Sequence, residues 1–324
     1  MNNNVLIVGN GFDLYHGFKT SYVDFMEFAR NIKKSPNGTS GRRLAQNNSF
    51  IRCFIEVIKE NQSWIDCENE IEVLVCIVDK IINNSNLISD NNLLLKKTIR
   101  SFEFERLRLM SNNIVKKSDM SSIEFNSSIF RKYQDIDKNA VIDILRRDMD
   151  RLISLFRLYL EIHVMNEKGN KISKQIKELN ASYVVNFNYT NTYKLYEIQK
   201  ENVCFIHGSV TDKNMVMGIR DIDESNLDTI YFKKYFQRIQ KHTDLINWEK
   251  FDESTISHFF GHSLSNTDGD IIRQIYQHSL KIIIYYMPQN KDFENKIINL
   301  IGSLGKNEVI EGMHSGRIEF TKIV

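Results

Sequence analysis

The N-terminal segment VLIVGNGFDLYHG, from Val5 to Gly17, constrains the fold more than any other part of this 324-residue chain. Its first four residues are all apolar, and they end abruptly at Gly9-Asn10-Gly11. A run this short and this apolar is typical of a central strand that is buried on both faces of a parallel sheet. Glycines directly after such a strand permit either an ordinary tight turn or close approach to a phosphate or ribose. The segment predicts the start of a nucleotide-binding α/β domain.

Sequence periodicity divides the chain into two kinds of segment. Beyond about residue 180, short apolar runs end in Gly, Asn or His, and helical patterns lie between several of them. These runs are SYVVNFNY, NVCFIHG, MVMG, ISHFFGHS and KIIIYYM. Such alternation is typical of a mostly parallel sheet with helices on its faces. From about residue 48 to 179, apolar residues recur at helical spacing instead, most clearly from Ala140 to Met165.

We therefore predict an α/β fold, with a Rossmann-like, mostly parallel sheet, helices on both faces and a large all-helical insertion. Residues 1–34 together with 180–324 are assigned to the nucleotide-binding α/β domain, and residues 35–179 to the helical insertion. The loop KKSPNGTSGRR, rich in Gly, Pro, Ser and like charges, marks the first boundary. The insertion can form either a lid over the site or an interface, and homo-oligomerisation stays open.

Composition limits the classes of protein that this chain can represent. Hydrophobic residues make up 42% and charged residues 26% of the chain, as in a globular protein. A net charge of +2 offers no global basic field, which disfavours nucleic acid as a partner. The four cysteines lack metal-ligand spacing, so we expect reduced thiols and no structural zinc. Without a signal-peptide pattern or a long apolar run, we expect a cytoplasmic protein that does not contact the membrane.

The candidate binding residues follow the predicted strands, because ligands of parallel sheets bind outside the carboxyl ends of the strands. In the first turn, Asn10, Asp13 and His16 accompany the glycines, and a mere connection does not need so many polar groups. The pattern is not the dinucleotide fingerprint GxGxxG, since Leu14 stands at the place of the third glycine.

Three later strand ends carry further candidates. Asn188 can bind a substrate or cap the following helix. His207, beside Gly208, can act as a base near neutral pH or be a satisfied structural histidine. The last strand end, which suits a phosphate or ribose but also a simple helix entry, contributes Gly261, His262, Ser263 and Asp268.

One acidic cluster lies in the helical region, in the segment WIDCENE that contains Asp66 and Glu68. Paired carboxylates can hold a divalent metal or perform acid–base chemistry. An acidic, solvated helix start is the alternative, since acids favour that end of the helix dipole. These two residues are kept as extra candidates, and no metal site is predicted.

The N-terminal segment IVGNGFDLYHGFKTSYVDF resembles the signature of the bacteriophage abortive infection AbiH family. The blocks WIDCE, NFNYTN, FIHGS and GHSLSNTD are similar to later blocks of that family, in the same order and nearly end to end. The resemblance implies an antiphage effector that a phage-derived component triggers.

The chain is also similar, more distantly, to the sirtuin-like domains of NAD-cleaving phage-defence enzymes. That resemblance implies NAD as the substrate, with Asn188 and His207 paired at its site, and the glycine turns at Gly9–Gly11 and Gly261–Ser263 holding pyrophosphate and ribose. This sequence departs from the pattern at Thr190, where an aspartate is common, and it lacks the zinc cysteines. His262 also occupies the middle of the Gly-x-Ser turn.

The function expected from these resemblances is hydrolysis of NAD with release of nicotinamide. His207 is the expected base, and Asn188 is expected to orient water or the carboxamide. One alternative is a nucleotide-sensing protein without turnover that acts through a partner or an assembly. The other is a metal-dependent nuclease whose helical region holds a metal through Asp66, Glu68 and Glu70.

Overall fold

The computed structural model of the chain describes residues 3–34, 36, 38–57, 64–83, 100–118, 123–130, 136–167, 169, 171–219, 227–289 and 291–323. The strands in chain order are β1 (Asn3–Val8), β2 (Val115–Ser118), β3 (Ile123–Phe125), β4 (Tyr183–Asn186), β5 (Val203–Phe205), β6 (Thr255–Phe260), β7 (Lys281–Tyr286) and β8 (Ile318–Lys322). The α-helices in chain order are α1 (Asn10–Tyr15), α2 (Tyr22–Lys33), α3 (Ser40–Ala45), α4 (Ser49–Val57), α5 (Trp64–Asn83), α6 (Ser101–Arg108), α7 (Lys138–His163), α8 (Lys174–Leu179), α9 (Lys234–Lys241), α10 (Gly269–Gln277), α11 (Asp292–Leu304) and α12 (Lys306–His314). Short 3₁₀ helices occupy Ser127–Ile129, Thr192–Tyr196, Lys200–Asn202, Leu227–Phe232, Trp248–Lys250 and Asn266–Asp268.

Six strands in these ranges form one sheet, in the order β5-β4-β1-β6-β7-β8. Every neighbouring pair is parallel. This is the strand order of the dinucleotide-binding Rossmann fold, in which the chain moves outward from the first strand in one direction and then in the other. The topological switch point therefore lies between β1 and β6, and the predicted α/β fold is confirmed.

The chain divides into two compact units. The sheet unit consists of residues 1–20, 160–216 and 238–324. The helical unit consists of residues 21–159 and 217–237.

Strand β1 is buried on both faces of the sheet, as its continuous apolar sequence predicts. Val5 and Ile7 belong to one core, which also contains side chains of α10, α11 and α12. Leu6 and Val8 belong to a second core, which also contains Phe12 of α1 and a side chain of α8. Burying one aliphatic side chain of this size contributes about 1.5–3 kcal/mol. Helices consequently cover both faces of the sheet.

The helical unit follows the periodicity of its sequence. The hydroxyl of Ser21 accepts a hydrogen bond of 3.1 Å from the backbone N–H of Asp24 and caps α2. The Phe25 ring of α2 packs edge-on against Phe156 of α7, with 4.9 Å between ring centroids. The apolar stripe predicted from Ala140 to Met165 thus lies on the buried side of a long helix.

Several elements differ from the sequence-based expectations. The interpretation of MVMG as a strand is wrong: these residues are irregular, and the N–H of Val216 donates to the carbonyl of His207 at 2.8 Å. The apolar character of this run reflects burial beside the loop that follows β5, not sheet pairing. The antiparallel β2–β3 hairpin, α12 and β8 are additional elements that the patterns do not predict. The sequence EKGN, residues 167–170, also predicts a hairpin turn after the long helix, but two of these four residues lie outside the described residues.

Across the described parts of the chain, no helix combines the length and the apolar character needed to cross a membrane.

Candidate functional site

The glycine turns that follow β1 and β6 pack directly against each other at the switch point. The N–H of Gly11 donates to the carbonyl of Gly261 at 2.8 Å. A Cβ atom on Gly9 would lie 2.8 Å from the Cα of His262, and one on Gly261 would lie 2.0 Å from the backbone nitrogen of Phe12. Gly261 also has a φ of +67°, which favours glycine. These glycines allow two stretches of backbone to close on each other, a tertiary role that the sequence pattern does not reveal.

Asp13 is the centre of a buried hydrogen-bond network that joins the ends of β1 and β4. The Nδ2 of Asn188 donates to Asp13 Oδ1 at 3.0 Å and to the carbonyl of Gly9 at 2.9 Å. The hydroxyl of Thr190 donates to Asp13 Oδ2 at 2.5 Å. Asn186, at the end of β4, accepts from the N–H of Asn188 at 2.8 Å and so braces the same loop. Two sequence candidates, Asp13 and Asn188, are therefore in direct contact.

Burial raises the pKa of Asp13 to about 6, although hydrogen bonds from Thr190, Thr192 and Asn188 act in the opposite direction. The effect of desolvation on the pKa exceeds that of the hydrogen bonds, because none of these neighbours carries a positive charge that would favour the carboxylate. The folded protein therefore holds a proton on Asp13 at pH values where the unfolded chain has already released it.

This difference makes the stability of the protein depend on pH. Between the usual pKa of 3.8 and the raised value of about 6, the folded state binds more protons than the unfolded state, so the free energy of unfolding falls as pH rises. The two pKa values correspond to a loss of roughly 3 kcal/mol across that window. Urea unfolding at a series of pH values should show this loss in the parent protein and not in Asp13→Asn. Parallel curves for the two proteins would show that Asp13 titrates normally in the folded state.

His16 lies in a buried aromatic cluster and serves the packing of α1. Its Nδ1 is 2.5 Å from the carbonyl of Phe12, and its Nε2 is 2.6 Å from the hydroxyl of Tyr196. That hydroxyl accepts a hydrogen bond of 2.9 Å from the N–H of Ser173. Because the Phe12 carbonyl can only accept, the proton of the neutral imidazole sits on Nδ1, and Nε2 accepts from the hydroxyl of Tyr196. Burial lowers the pKa of His16, which favours this neutral form.

His207 is buried at the carboxyl edge of the sheet, directly beyond β5, and its side chain is only 5% exposed. Its Nε2 lies 3.0 Å from Asp268 Oδ1, but the approach is too far out of line for a hydrogen bond. Neither ring nitrogen of His207 has a hydrogen-bond partner among the residues that the structure describes. Buried polar atoms are normally paired, so this histidine is available to a ligand or to water.

His262 completes a cluster with His207 and Asp268. The Nε2 of His262 lies 4.0 Å from Asp268 Oδ2, whereas His207 approaches the other carboxylate oxygen, Oδ1. The Nδ1 of His262 accepts from the N–H of Leu264 at 2.9 Å, so the proton of the neutral ring is on Nε2, toward Asp268. The Phe187 ring packs edge-on against both imidazoles, at centroid distances of 5.6 Å and 4.3 Å. We call these three residues the His–Asp–His cluster.

Lys296 of α11 supports this cluster and is absent from the sequence-based candidates. Its Nζ donates to the carbonyl of His262 at 2.8 Å and lies 3.4 Å from a carboxylate oxygen of Asp292. The lysine is almost fully buried, and burial lowers its pKa. Its spacing of four residues from the buried Leu300 is the sequence signal that places it on the inner side of the helix.

The remaining candidates of the sheet unit are placed differently. Gly208 has a φ of +70°, and a Cβ there would lie 2.3 Å from the carbonyl oxygen of Asn214. Glycine at this position therefore allows the backbone at Asn214 to pack closely against it. The side chain of Asn10 is half-buried and that of Ser263 is exposed. These two polar groups stay accessible at the ends of β1 and β6.

In the helical unit, the acidic candidates belong to separate ion pairs. Glu68 lies 2.6 Å from the Nζ of the buried Lys234, and Glu70 pairs with Arg106 at 2.7 Å. Asp66 lies on the same helix as Glu68, in its first turn. Within the described residues, no group of three or more His, Cys, Asp or Glu side chains is arranged to hold a metal ion.

A six-stranded parallel sheet in the Rossmann order, with a buried histidine–carboxylate cluster at its carboxyl edge, defines the sheet unit as a Rossmann-like α/β domain. The family model described as bacteriophage abortive infection AbiH matches residues 5–286. The chain belongs to this family, whose role is abortive infection in defence against phage. No curated protein and no solved structure matches the chain.

Proposed function

We propose that this abortive-infection protein is a cytoplasmic effector that binds NAD and hydrolyses the bond between nicotinamide and ribose. The observation that carries the proposal is the buried His207, whose ring nitrogens both lack a hydrogen-bond partner within the described residues. Leaving a buried polar group unsatisfied costs about 1–3 kcal/mol. The group lies at the edge of the sheet where ligands of this fold class bind. A ligand or a reacting water is the partner that its chemistry requires.

The His–Asp–His cluster supplies the groups that such a hydrolysis needs. His207 takes the proton of the attacking water, whose oxygen bonds to the ribose carbon while the electron pair of the broken bond leaves with nicotinamide. Glycosidic cleavage develops an oxocarbenium-like transition state, so the essential protein contribution is a positioned base and a held ribose. Asp268, 3.0 Å from His207 Nε2, stabilises the imidazolium that forms.

Asn188 acts in this proposal as a positioning residue. Both hydrogen bonds of its amide nitrogen go to the protein, to Gly9 and Asp13, so it holds the first turn in place. The N–H of Gly11 is likewise engaged by Gly261. Anchoring of the phosphates and ribose then falls to groups that stay accessible, such as the side chains of Asn10 and Ser263.

The hydrogen bonds of Asn188 to Gly9 and Asp13 also favour one alternative, a nucleotide-sensing protein without turnover. An asparagine that braces the fold does not orient a reacting water, and a site with one buried histidine that has no hydrogen-bond partner among the described residues suits binding as well as catalysis. The nuclease alternative gains less support, because Glu68 and Glu70 are paired with separate cations.

Incubation of the purified protein with NAD tests the proposal, with nicotinamide and ADP-ribose followed by chromatography. We expect both products in equal amounts, with or without divalent metal. If the enzyme needs a trigger, the purified protein will be inactive. The NAD content of cells that express the protein, measured before and after phage infection, tests for this case. If calorimetry detects binding of NAD but neither assay detects product, the sensor alternative is supported. If neither binding nor product is detected, the assignment of NAD as the ligand is overturned.

A further inference from the structure

Helix α11 exposes an apolar stripe on the side opposite to the core of the sheet unit. Its inner residues Lys296, Leu300 and Ser303 are buried, whereas Ile298 and Ile301 are 65% and 37% exposed. Residues three positions apart are neighbours on one face of a helix, so the two isoleucines lie side by side. The outer face of a helix in a globular protein is usually polar. Adjacent exposed isoleucines on such a face are typical of a surface that contacts another molecule.

Gly302 lies on the same face, four residues after Ile298. Among the described residues outside this helix, the nearest contact of a Cβ atom built on Gly302 is Asn266 Cβ at 3.9 Å, an ordinary van der Waals distance. The φ of Gly302 is also outside the left-handed region. Glycine within a helix is less favourable than alanine, and neither packing nor backbone conformation in one copy requires it here. The missing side chain does let a second helix approach closely, because the distance between packed helices depends on the side chains at their contact.

The charges at the two ends of the stripe make it complementary to itself. Glu294 precedes Ile298 by four residues, Lys306 follows Ile301 by five, and both charged residues are exposed. When two copies of α11 pack antiparallel about a two-fold axis at the middle of the stripe, Ile298 of each copy faces Gly302 of the other. Glu294 then faces Lys306 of the other copy, and this pair occurs twice, as a two-fold interface requires. Lys306 is the first residue of α12, where the helix dipole disfavours a cation, so a facing carboxylate is favourable there.

We propose that this surface joins two copies of the chain in a two-fold dimer. Specific interfaces bury about 800 Å² on each partner, which is more than a single helix stripe supplies. Helix α12 contacts α11, covers the same core and exposes two further large apolar side chains, Ile310 and Met313. The two helices together therefore provide a larger apolar surface than α11 alone. The dimer is independent of the proposed NAD chemistry.

Sedimentation velocity of the full chain over a micromolar concentration series tests the dimer. We expect the parent to sediment as a dimer, and Ile298→Asp and Gly302→Leu to sediment as monomers. Ile298 is exposed, and a side chain at Gly302 meets little of its own chain, so the far-UV circular dichroism of both variants should stay parental. Ile239→Asp is the matched control, since Ile239 lies on α9, outside the stripe, and is 67% exposed. This control should remain a dimer.

Charge reversal gives a second test that is specific to the proposed register. Glu294→Lys and Lys306→Glu should each raise the Kd of the dimer about tenfold, since each change places like charges at two symmetric contacts. The variant that carries both changes restores the two pairs with exchanged signs. Its Kd should therefore return close to the parental value, which is the result that coupled residues give in a double-mutant cycle.

Three results would overturn the inference. The first is a parent protein that stays monomeric throughout the concentration series. The second is a dimer that neither Ile298→Asp nor Gly302→Leu weakens, which would place the interface on another surface. The third is a double charge variant that associates no better than the single ones. Because association is measured without NAD, these outcomes are distinct from any failure of NAD cleavage.

Discussion

Replacing His207 with alanine is expected to lower the rate of NAD cleavage by about 10²–10⁴-fold, the usual contribution of a positioned base. The imidazole has no hydrogen bond to a described residue, so its removal breaks the ion contact with Asp268 and the ring contacts with Phe187 and Tyr189, but no hydrogen bond within the described residues. The Tm of the variant should therefore fall only modestly, as expected for the loss of packing around a buried side chain. Steady-state release of nicotinamide, measured at saturating NAD, gives the comparison.

Two further variants separate chemistry from simple loss of volume. His207→Gln keeps polar atoms in the cavity without a usable base, and it should be as inactive as His207→Ala. Asp268→Asn removes the charge 3.0 Å from Nε2 and should lower kcat more than it changes KM, because this charge acts on the protonated imidazole. The exposed residue His278 serves as the control, since His278→Ala changes a ring stacked on Trp248 at the surface. Full activity of His207→Gln would rule out His207 as the base.

Gly261→Ala is expected to be the most destabilising single methyl addition at the switch point. Its Cβ would lie 2.0 Å from the backbone nitrogen of Phe12, so the turns after β1 and β6 would have to separate. The residue would also keep a left-handed φ of +67°. We expect a loss of about 4 kcal/mol or more in the free energy of unfolding, which is at the extreme end for a single substitution. Urea unfolding, or failure of the variant to accumulate in soluble form, reports the effect.

Gly316→Ala provides the matched control for this prediction. Gly316 has a φ of +74°, similar to that of Gly261, but among the described residues no atom beyond its two chain neighbours lies within 4 Å of a Cβ built there. The free energy of unfolding of this variant should fall only by the cost of an alanine in the left-handed conformation, about 1–2 kcal/mol. Equal losses in the two variants would show that backbone conformation, and not contact between the two turns, makes glycine necessary at Gly261.

Local patterns in the sequence predict much of the fold. The apolar run of β1 ends in glycine, and its predicted burial on both faces is confirmed. The long helix over 140–165 follows from spacing alone. The same reasoning fails for MVMG, because burial makes a loop as apolar as a strand. It also does not predict β8, whose residues are mostly accessible on an edge of the sheet.

The candidate site was predictable only as a set of separate strand ends. The sequence indicates that Asn188, His207 and His262 follow strands, and the shared direction of parallel strands brings such ends to one edge. Lys296 and Phe187 were not among the candidates, although both contact the cluster. A buried lysine and a phenylalanine in an apolar run have ordinary helix and strand patterns, so nothing local marks their contact with a histidine.

By itself, the sequence determined the class of fold and the family of this protein. Periodicity records which side of each element is buried, and the order of the motifs identifies abortive-infection proteins of the AbiH family. Only the tertiary structure decided that Asp13 binds Asn188, that Asp268 lies beside His207, and that the glycine turns close on each other. These pairs are remote along the chain and meet because of strand order. Periodicity within one element carries no information about which elements become neighbours.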